Sequence, residues 1–198
     1  MHKAAEQVPQ GVAEELRARL GQRTIALVGM PGSGKSSIGR RLAPRLGLTF
    51  VDADAQIEEA AGGMTVAEIF AAHGEAEFRA LEARVIARLL DEGPSVIATG
   101  GGALINDGTR RLIAEKSIAI WLKAEIPVLM RRVRRKTDRP LLKGKDPEST
   151  LRQLLAAREP LYAQAPIVVT SREGPHETVV DTIIEEMRRV LSPVEARP

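Results

Sequence analysis

Five short apolar runs punctuate the chain, with longer stretches bearing one apolar face between them. The runs are TIALVG (24–29), TFVD (49–52), SVIATG (95–100), SIAIWLK (117–123) and IVVT (167–170). Their apolar residues follow one another rather than alternating with polar ones, so each predicts a strand covered on both faces. Between them, SSIGRRLAPRLG and EAEFRALEARVIARLLDEG carry helical spacing. The second sets Phe78, Leu81, Val85, Leu89 and Leu90 along one side and stops at Gly93, a cap residue. Strand, helix and strand in repetition call for right-handed crossovers and a parallel sheet. The expected fold class is therefore α/β: three layers, with a five-stranded parallel sheet flanked by helices. In such sheets the ligand sits beyond the carboxyl ends of the strands.

One domain is expected over residues 23–192. Ahead of it, residues 1–22 read as a helical extension, because GVAEELRARLG places Val12, Leu16 and Leu20 on one face. That helix is expected to pack on the outside of the domain or to fray. Residues 193–198 read as a disordered tail, and no boundary inside the chain marks a second domain.

Composition narrows the function classes. With 43% hydrophobic and 28% charged residues the balance is that of a soluble globular protein. A net charge of +3 is small, and three phenylalanines, one tryptophan and one tyrosine give a basic segment no stacking platform. No nucleic-acid partner is expected. Cysteine is absent, which excludes disulfides and thiolate metal sites and favours the cytoplasm. No apolar stretch approaches the roughly 20 residues of a membrane span. Glu6, Glu14 and Glu15 argue against a transit peptide. Nothing requires more than a monomer.

The first run leads into GMPGSGKSS. Gly29, Gly34, Lys35 and Ser36 fit G-x-x-x-x-G-K-[ST] between a predicted strand and a predicted helix. Glycines let the backbone wrap an anion with its N–H groups inward, and the helix N-terminus adds a favourable dipole. Lys35 is placed to reach the β- and γ-phosphates, and the Ser36 hydroxyl to ligate Mg²⁺. The chain is expected to bind a nucleoside triphosphate, and the GTPase base-reading motif N-K-x-D is missing.

Further elements point to a phosphate acceptor. FVDAD closes the second strand with Asp52 and Asp54, one carboxylate suited to Mg²⁺ through water and the other to an acceptor hydroxyl. The alternative is that Asp54 simply caps the helix that follows. ATGGG puts Gly100, Gly101 and Gly102 after the third strand, where backbone and ligand come close. KTDRPLLKG (136–144), with Arg139 at its centre, has the make-up of a lid over a triphosphate, reaching to about residue 149. Its neighbours Arg131, Arg134, Arg135, Lys143 and Lys145 read as a solvated basic face. Arg79 and Arg158 look like helical surface arginines when taken alone, and Arg79 stands one turn from Glu75.

Taken together, GMPGSGKSS, FVDAD, GEAEFRALE, ATGGG, DRPLL and AREPLY resemble the shikimate kinase family, in order from about Thr24 to Leu191. The resemblance implies a nucleoside monophosphate kinase fold with a substrate-binding segment and a lid. It also implies transfer of the γ-phosphoryl group of ATP to the 3-hydroxyl of shikimate with Mg²⁺. On matching motifs, Gly32, Ser33, Gly34, Lys35, Ser36 and Ser37 would hold the phosphates, with Ser36 and Asp52 in the Mg²⁺ shell. Asp54 would be the base on the substrate hydroxyls. Arg79 and Arg158 would clamp the carboxylate, beside the turn Gly100 to Gly102 with Gly101 on the substrate. Arg139 would reach the phosphates from the lid. Arg132 and the TSREGP loop (170–175), Arg172 included, would lie on the adenine side. Two departures are the N-terminal extension and SS in place of the commoner ST after the lysine.

Overall fold

The computed structural model describes residues 10–134 and 146–192. Five strands appear where the apolar runs stand: β1 Thr24–Val28, β2 Thr49–Asp52, β3 Ser95–Ala98, β4 Ser117–Lys123 and β5 Ile167–Thr170. All pair in parallel, in the order β2-β3-β1-β4-β5. The helices are α1 Gln10–Leu20, α2 Lys35–Leu46, α3 Ala53–Ala60, α4 Val66–Asp91, α5 Asp107–Lys116, α6 Ile126–Arg134, α7 Pro147–Tyr162 and α8 His176–Leu191.

The central strands β1, β3 and β4 are buried on both sides, which is why they read as unbroken apolar runs. The edge strand β5 exposes Val168 and Thr170 on one face, and β2 is only half-buried. Alternate residues serve two separate cores. Ala26, Val28, Ile97, Ala119 and Trp121 join the core that lies against α4, α5, α6 and α7. Ile25, Leu27, Val96, Ile120 and Leu122 join the core that lies against α1, α2 and α8. α1 is a working part of the second core, with Leu16 and Leu20 at 1% and 2% exposure. Its arginines tie it down further: Arg17 donates to Leu46 O and Arg19 to Leu191 O, each at 3.2 Å.

Two local features differ from the sequence expectation. α4 starts at Val66, well before Glu75, under a capping box in which Thr65 and Glu68 satisfy each other's backbone N–H. It is kinked at Gly74 (φ 79°, ψ 174°), a backbone conformation that favours glycine. And α3 is capped by Asp52, whose side chain accepts the Asp54 N–H at 3.2 Å, so Asp54 is not the cap.

The strand order positions the site. Because β2, β3 and β1 are neighbours, Asp52, Ala98 and Leu27 stand in one row across the sheet. The three loops that follow this row therefore open side by side at its carboxyl edge. Thr99 binds the β3 and β1 ends together, its N–H and hydroxyl both donating to Leu27 O at 3.1 and 2.9 Å.

Candidate active site

A cleft of about 820 Å³ runs along this edge. At one end lies the loop between β1 and α2. Gly29 (φ 139°) has no room for a side chain, since a Cβ there would stand 2.7 Å from Leu122 O. Gly34 caps α2 in the left-handed region at φ 101°, leaving the first helical N–H groups turned to the cleft. Lys35 is 9% exposed, and its Nζ donates to Gly29 O and Met30 O at 2.8 and 3.0 Å. Gly32, Gly34, Lys35, Ser36 and Ser37 line the cleft. Ser33 does not: it is fully buried against Gly29, its hydroxyl without a hydrogen-bond partner, while its N–H closes a turn onto Met30 O at 3.1 Å.

Arg132, from α6, occupies the outer part of this end. Its guanidinium donates to Ser33 O (3.2 Å), Ser171 Oγ (2.9 Å) and Arg172 O (2.8 Å), tying the phosphate loop to the segment between β5 and α8. Arg172 itself is exposed, does not line the cleft, and offers only its carbonyl to this network. His176, at the start of α8, also lines this end; burial and the charges of Arg41 and Arg132 hold its pKa below the usual imidazole value.

At the other end, Asp54, Arg79, Gly100, Gly101, Gly102 and Arg158 come together. Arg79 and Arg158 are not the free surface arginines that helical spacing alone describes. Arg79 sits over the rings of Phe78 and Phe70, at 5.2 and 6.0 Å from their centroids, and pairs with Glu75 (3.2 Å) and Glu82 (2.6 Å). Arg158 is 5% exposed and donates to Gly101 O at 3.1 Å.

The glycine triplet is dictated by crowding. A Cβ on Gly100 would meet Glu82 Oε1 at 2.5 Å, one on Gly101 would meet Pro31 Cδ at 2.6 Å, and one on Gly102 would meet Arg79 at 2.5 Å. Gly101 is where the acceptor end touches the phosphate loop.

Glu82, which the sequence reading left without a role, lines this end at 2% exposure with Oε1 buried and unpaired. Burial raises its pKa, the Arg79 guanidinium pulls against that rise, and the charge of Asp54 adds to it. A signal was present in the sequence. Glu82 stands four residues after Phe78 and four before Ile86, a carboxylate on the buried stripe of α4. Tyr162, one helical turn after Arg158, was missed as well. It is 2% exposed, and its hydroxyl donates to Gly101 O.

An oxygen-rich mouth, two arginines beside a three-glycine turn and a phosphate loop next to it make a phosphoryl-transfer cleft with an anionic acceptor. A family model described as "SKI: Shikimate kinase" matches residues 31–188. The chain belongs to the shikimate kinase family. It is 54% identical over 191 residues to the shikimate kinase of Bradyrhizobium diazoefficiens, covering 96% of this chain and 92% of that protein. To the shikimate kinase of Rhodopseudomonas palustris it is 50% identical over 204 residues, with 100% of both chains covered. Among solved structures, shikimate kinase from Acinetobacter baumannii in complex with shikimate superposes with a TM-score of 0.83 at 33% identity. That match covers 92% of this chain and 99% of the other. The five-stranded parallel sheet is thus the shikimate kinase fold, as the motif resemblance implied. Arg139 and most of the expected lid lie outside the described residues, as do residues 1–9 and the expected tail at 193–198.

Proposed function

We propose that this chain transfers the γ-phosphoryl group of ATP to the 3-hydroxyl of shikimate, giving shikimate 3-phosphate and ADP. The observation that carries this reading is the buried Arg158 facing the cleft beside Gly101, with Arg79 across the same turn. A guanidinium binds a carboxylate through paired charge-assisted hydrogen bonds, and two such groups suit the one carboxylate of shikimate. Glu75 and Glu82 hold Arg79 in its place over Phe78, so its orientation is set in advance of binding.

In the transfer, the 3-hydroxyl oxygen forms a bond to the γ-phosphorus as the bond from that phosphorus to the β-γ bridging oxygen breaks. Asp54 takes the hydroxyl proton. Lys35, turning its Nζ from the Gly29 and Met30 carbonyls, meets the charge that develops on the transferred group. The N–H groups of Gly32 and of residues 34–37 cradle the phosphates, while that of Ser33 stays on Met30 O. Arg139 enters this scheme on its place in DRPLL alone, as a second cation over the phosphates.

Among the described residues no three His, Asp or Glu side chains cluster as a metal cage. Ser36 and Asp52 do line the cleft, and two protein oxygens completed by substrate phosphates and water match the habits of Mg²⁺. These two residues would hold the ion, which when bound offsets phosphate charge. ADP release with Mg-ATP, measured with shikimate, gluconate or AMP in parallel, tests the proposal. Stimulation by shikimate alone is expected; stimulation by another acceptor in its place would overturn the substrate. Asp54→Asn is expected to abolish turnover while ATP still binds, and an active variant would remove Asp54 from the base role.

A further inference from the structure

Gly101 O is the meeting point of donors from one face of α7. Arg158 Nη1 reaches it at 3.1 Å, and Tyr162, four residues on, directs its hydroxyl to the same oxygen. The tyrosine ring is buried and leans on Trp121 of β4, with centroids 6.0 Å apart, so its hydroxyl is aimed from a fixed base. The same hydroxyl lies 3.9 Å from Met30 Sδ, at the start of the phosphate loop. The next residue, Pro31, leaves no room for a Cβ on Gly101. One oxygen in the third-strand turn thus orients one arm of a cleft arginine, and the residue and hydroxyl beside it lie against the loop that holds phosphate. Burial pushes the Tyr162 pKa up to about 12, so the group stays a proton donor across the working range.

We propose that Tyr162 is a positioning residue for the acceptor: through Gly101 O, its hydroxyl sets Arg158 and the glycine turn in register with the phosphate loop. A trans peptide is planar, so fixing the Gly101 carbonyl fixes the direction of the Gly102 N–H as well. Arg158 holds the carbonyl with one nitrogen and also hydrogen-bonds the Tyr162 hydroxyl directly, which leaves the rest of its N–H groups for a carboxylate. Without the hydroxyl, the carbonyl has to compete with the substrate for that guanidinium. The effect therefore falls on the acceptor and not on the nucleotide. The proposal rests on shikimate being the acceptor, and wild-type turnover with shikimate is measured first so that the two ideas fail separately.

The test uses the full chain. Tyr162→Phe keeps the ring on Trp121 and leaves Gly101 O its bond from Arg158, so the fold is retained. The expected result is a shikimate KM raised roughly 5- to 10-fold with the ATP KM changed less than about 2-fold, in the range of one lost hydrogen bond. Equal rises in both KM values, or no change in either, would overturn the proposal. In a cycle with Arg158→Lys, the two fold-changes in shikimate KM should fall short of multiplying, because both act on one carbonyl; independent, multiplying effects would overturn it. A readout in the unsubstituted protein is also open, because Tyr162 is the chain's one tyrosine. With 3-fluorotyrosine incorporated, its single ¹⁹F resonance should move on saturation with shikimate and far less with ADP. A resonance that ignores shikimate would overturn the proposal.

Discussion

The two ends of the cleft are built on different plans. The phosphate end is one contiguous loop and helix start, residues 29–37, in which backbone N–H groups and one lysine face the ligand. The acceptor end is assembled from residues that lie far apart in the chain: Asp54 in the first turn of α3, Arg79 and Glu82 on α4, the glycine turn after β3, Arg158 and Tyr162 on α7. Phosphate is the same in every nucleotide, so a local backbone cradle suffices for it. An acceptor with its own shape has to be met from several directions, and only the tertiary fold brings those directions together. The difference also sets what a substitution does. Changes at the first end should act on chemistry, and changes at the second, the base Asp54 apart, on recognition.

Lys35→Ala is expected to have the largest effect, a loss in kcat on the order of 10³-fold, with shikimate binding measured by calorimetry changed less than about 2-fold. A large loss of shikimate affinity would mean that the ends are not separable in this way. Arg158→Ala should raise the shikimate KM roughly 100-fold, as expected for charge-assisted hydrogen bonds to a carboxylate, and leave the ATP KM within about 3-fold. Steady-state kinetics with each substrate varied in turn decides this. Gly101→Ala marks the limit of the comparison, since its methyl group would drive into Pro31. It should raise both KM values, by roughly 10-fold each, from the displacement of a ring in a packed loop; an effect on shikimate alone would mean that the turn, not the phosphate loop, gives way.

Glu82 supplies the smallest effect and a pH dependence. Its pKa in the folded protein is raised above the ordinary value of 4.5, chiefly by burial. The folded state therefore holds this proton more tightly than the unfolded chain, and the stabilisation is full below the ordinary value and lost as pH rises through the raised one. Glu82→Gln should flatten the fall in Tm over the range above pH 4.5 in which this proton is released. Because Arg79 also loses one of its two ionic partners, the shikimate KM should rise about 3-fold. A wild-type Tm that does not fall over this range would contradict the raised value.

The same contrast explains what could be read from the chain beforehand. The central strands were legible because a sheet covered on both faces writes its burial as unbroken apolar runs, and Ile25 with Leu27 serve one core while Ala26 with Val28 serve the other. The edge strand β5 has the same kind of run although it leaves Val168 exposed. The phosphate loop was legible because its residues are consecutive. Arg79 and Arg158 could be named only through motifs, since helical spacing does not reveal that Arg158 is buried or that Arg79 is clasped by Glu82. The kink at Gly74 was hidden for a related reason: nothing lies near a Cβ there, so the glycine answers to backbone geometry and not to a neighbour. The alternative left open for Asp54, capping of α3, falls to Asp52, because the two are chemically equal and only the turn of the chain distinguishes them.

The strand order also carries a message about the order of events during synthesis. β1 is the central strand and the first to leave the ribosome, yet Thr99, which bonds to Leu27, follows 72 residues later, and β4 later still. Closing so long a loop costs only about 0.6 kcal/mol more for each doubling of its length, so the delay is one of time more than of free energy. During that wait Ile25 and Leu27 have no sheet to enter. α1 precedes them directly, and its Leu16 and Leu20 belong to the same core. α1 itself packs on α2 and α8, so its own seat is complete only once the chain has reached Leu191, whose carbonyl Arg19 holds.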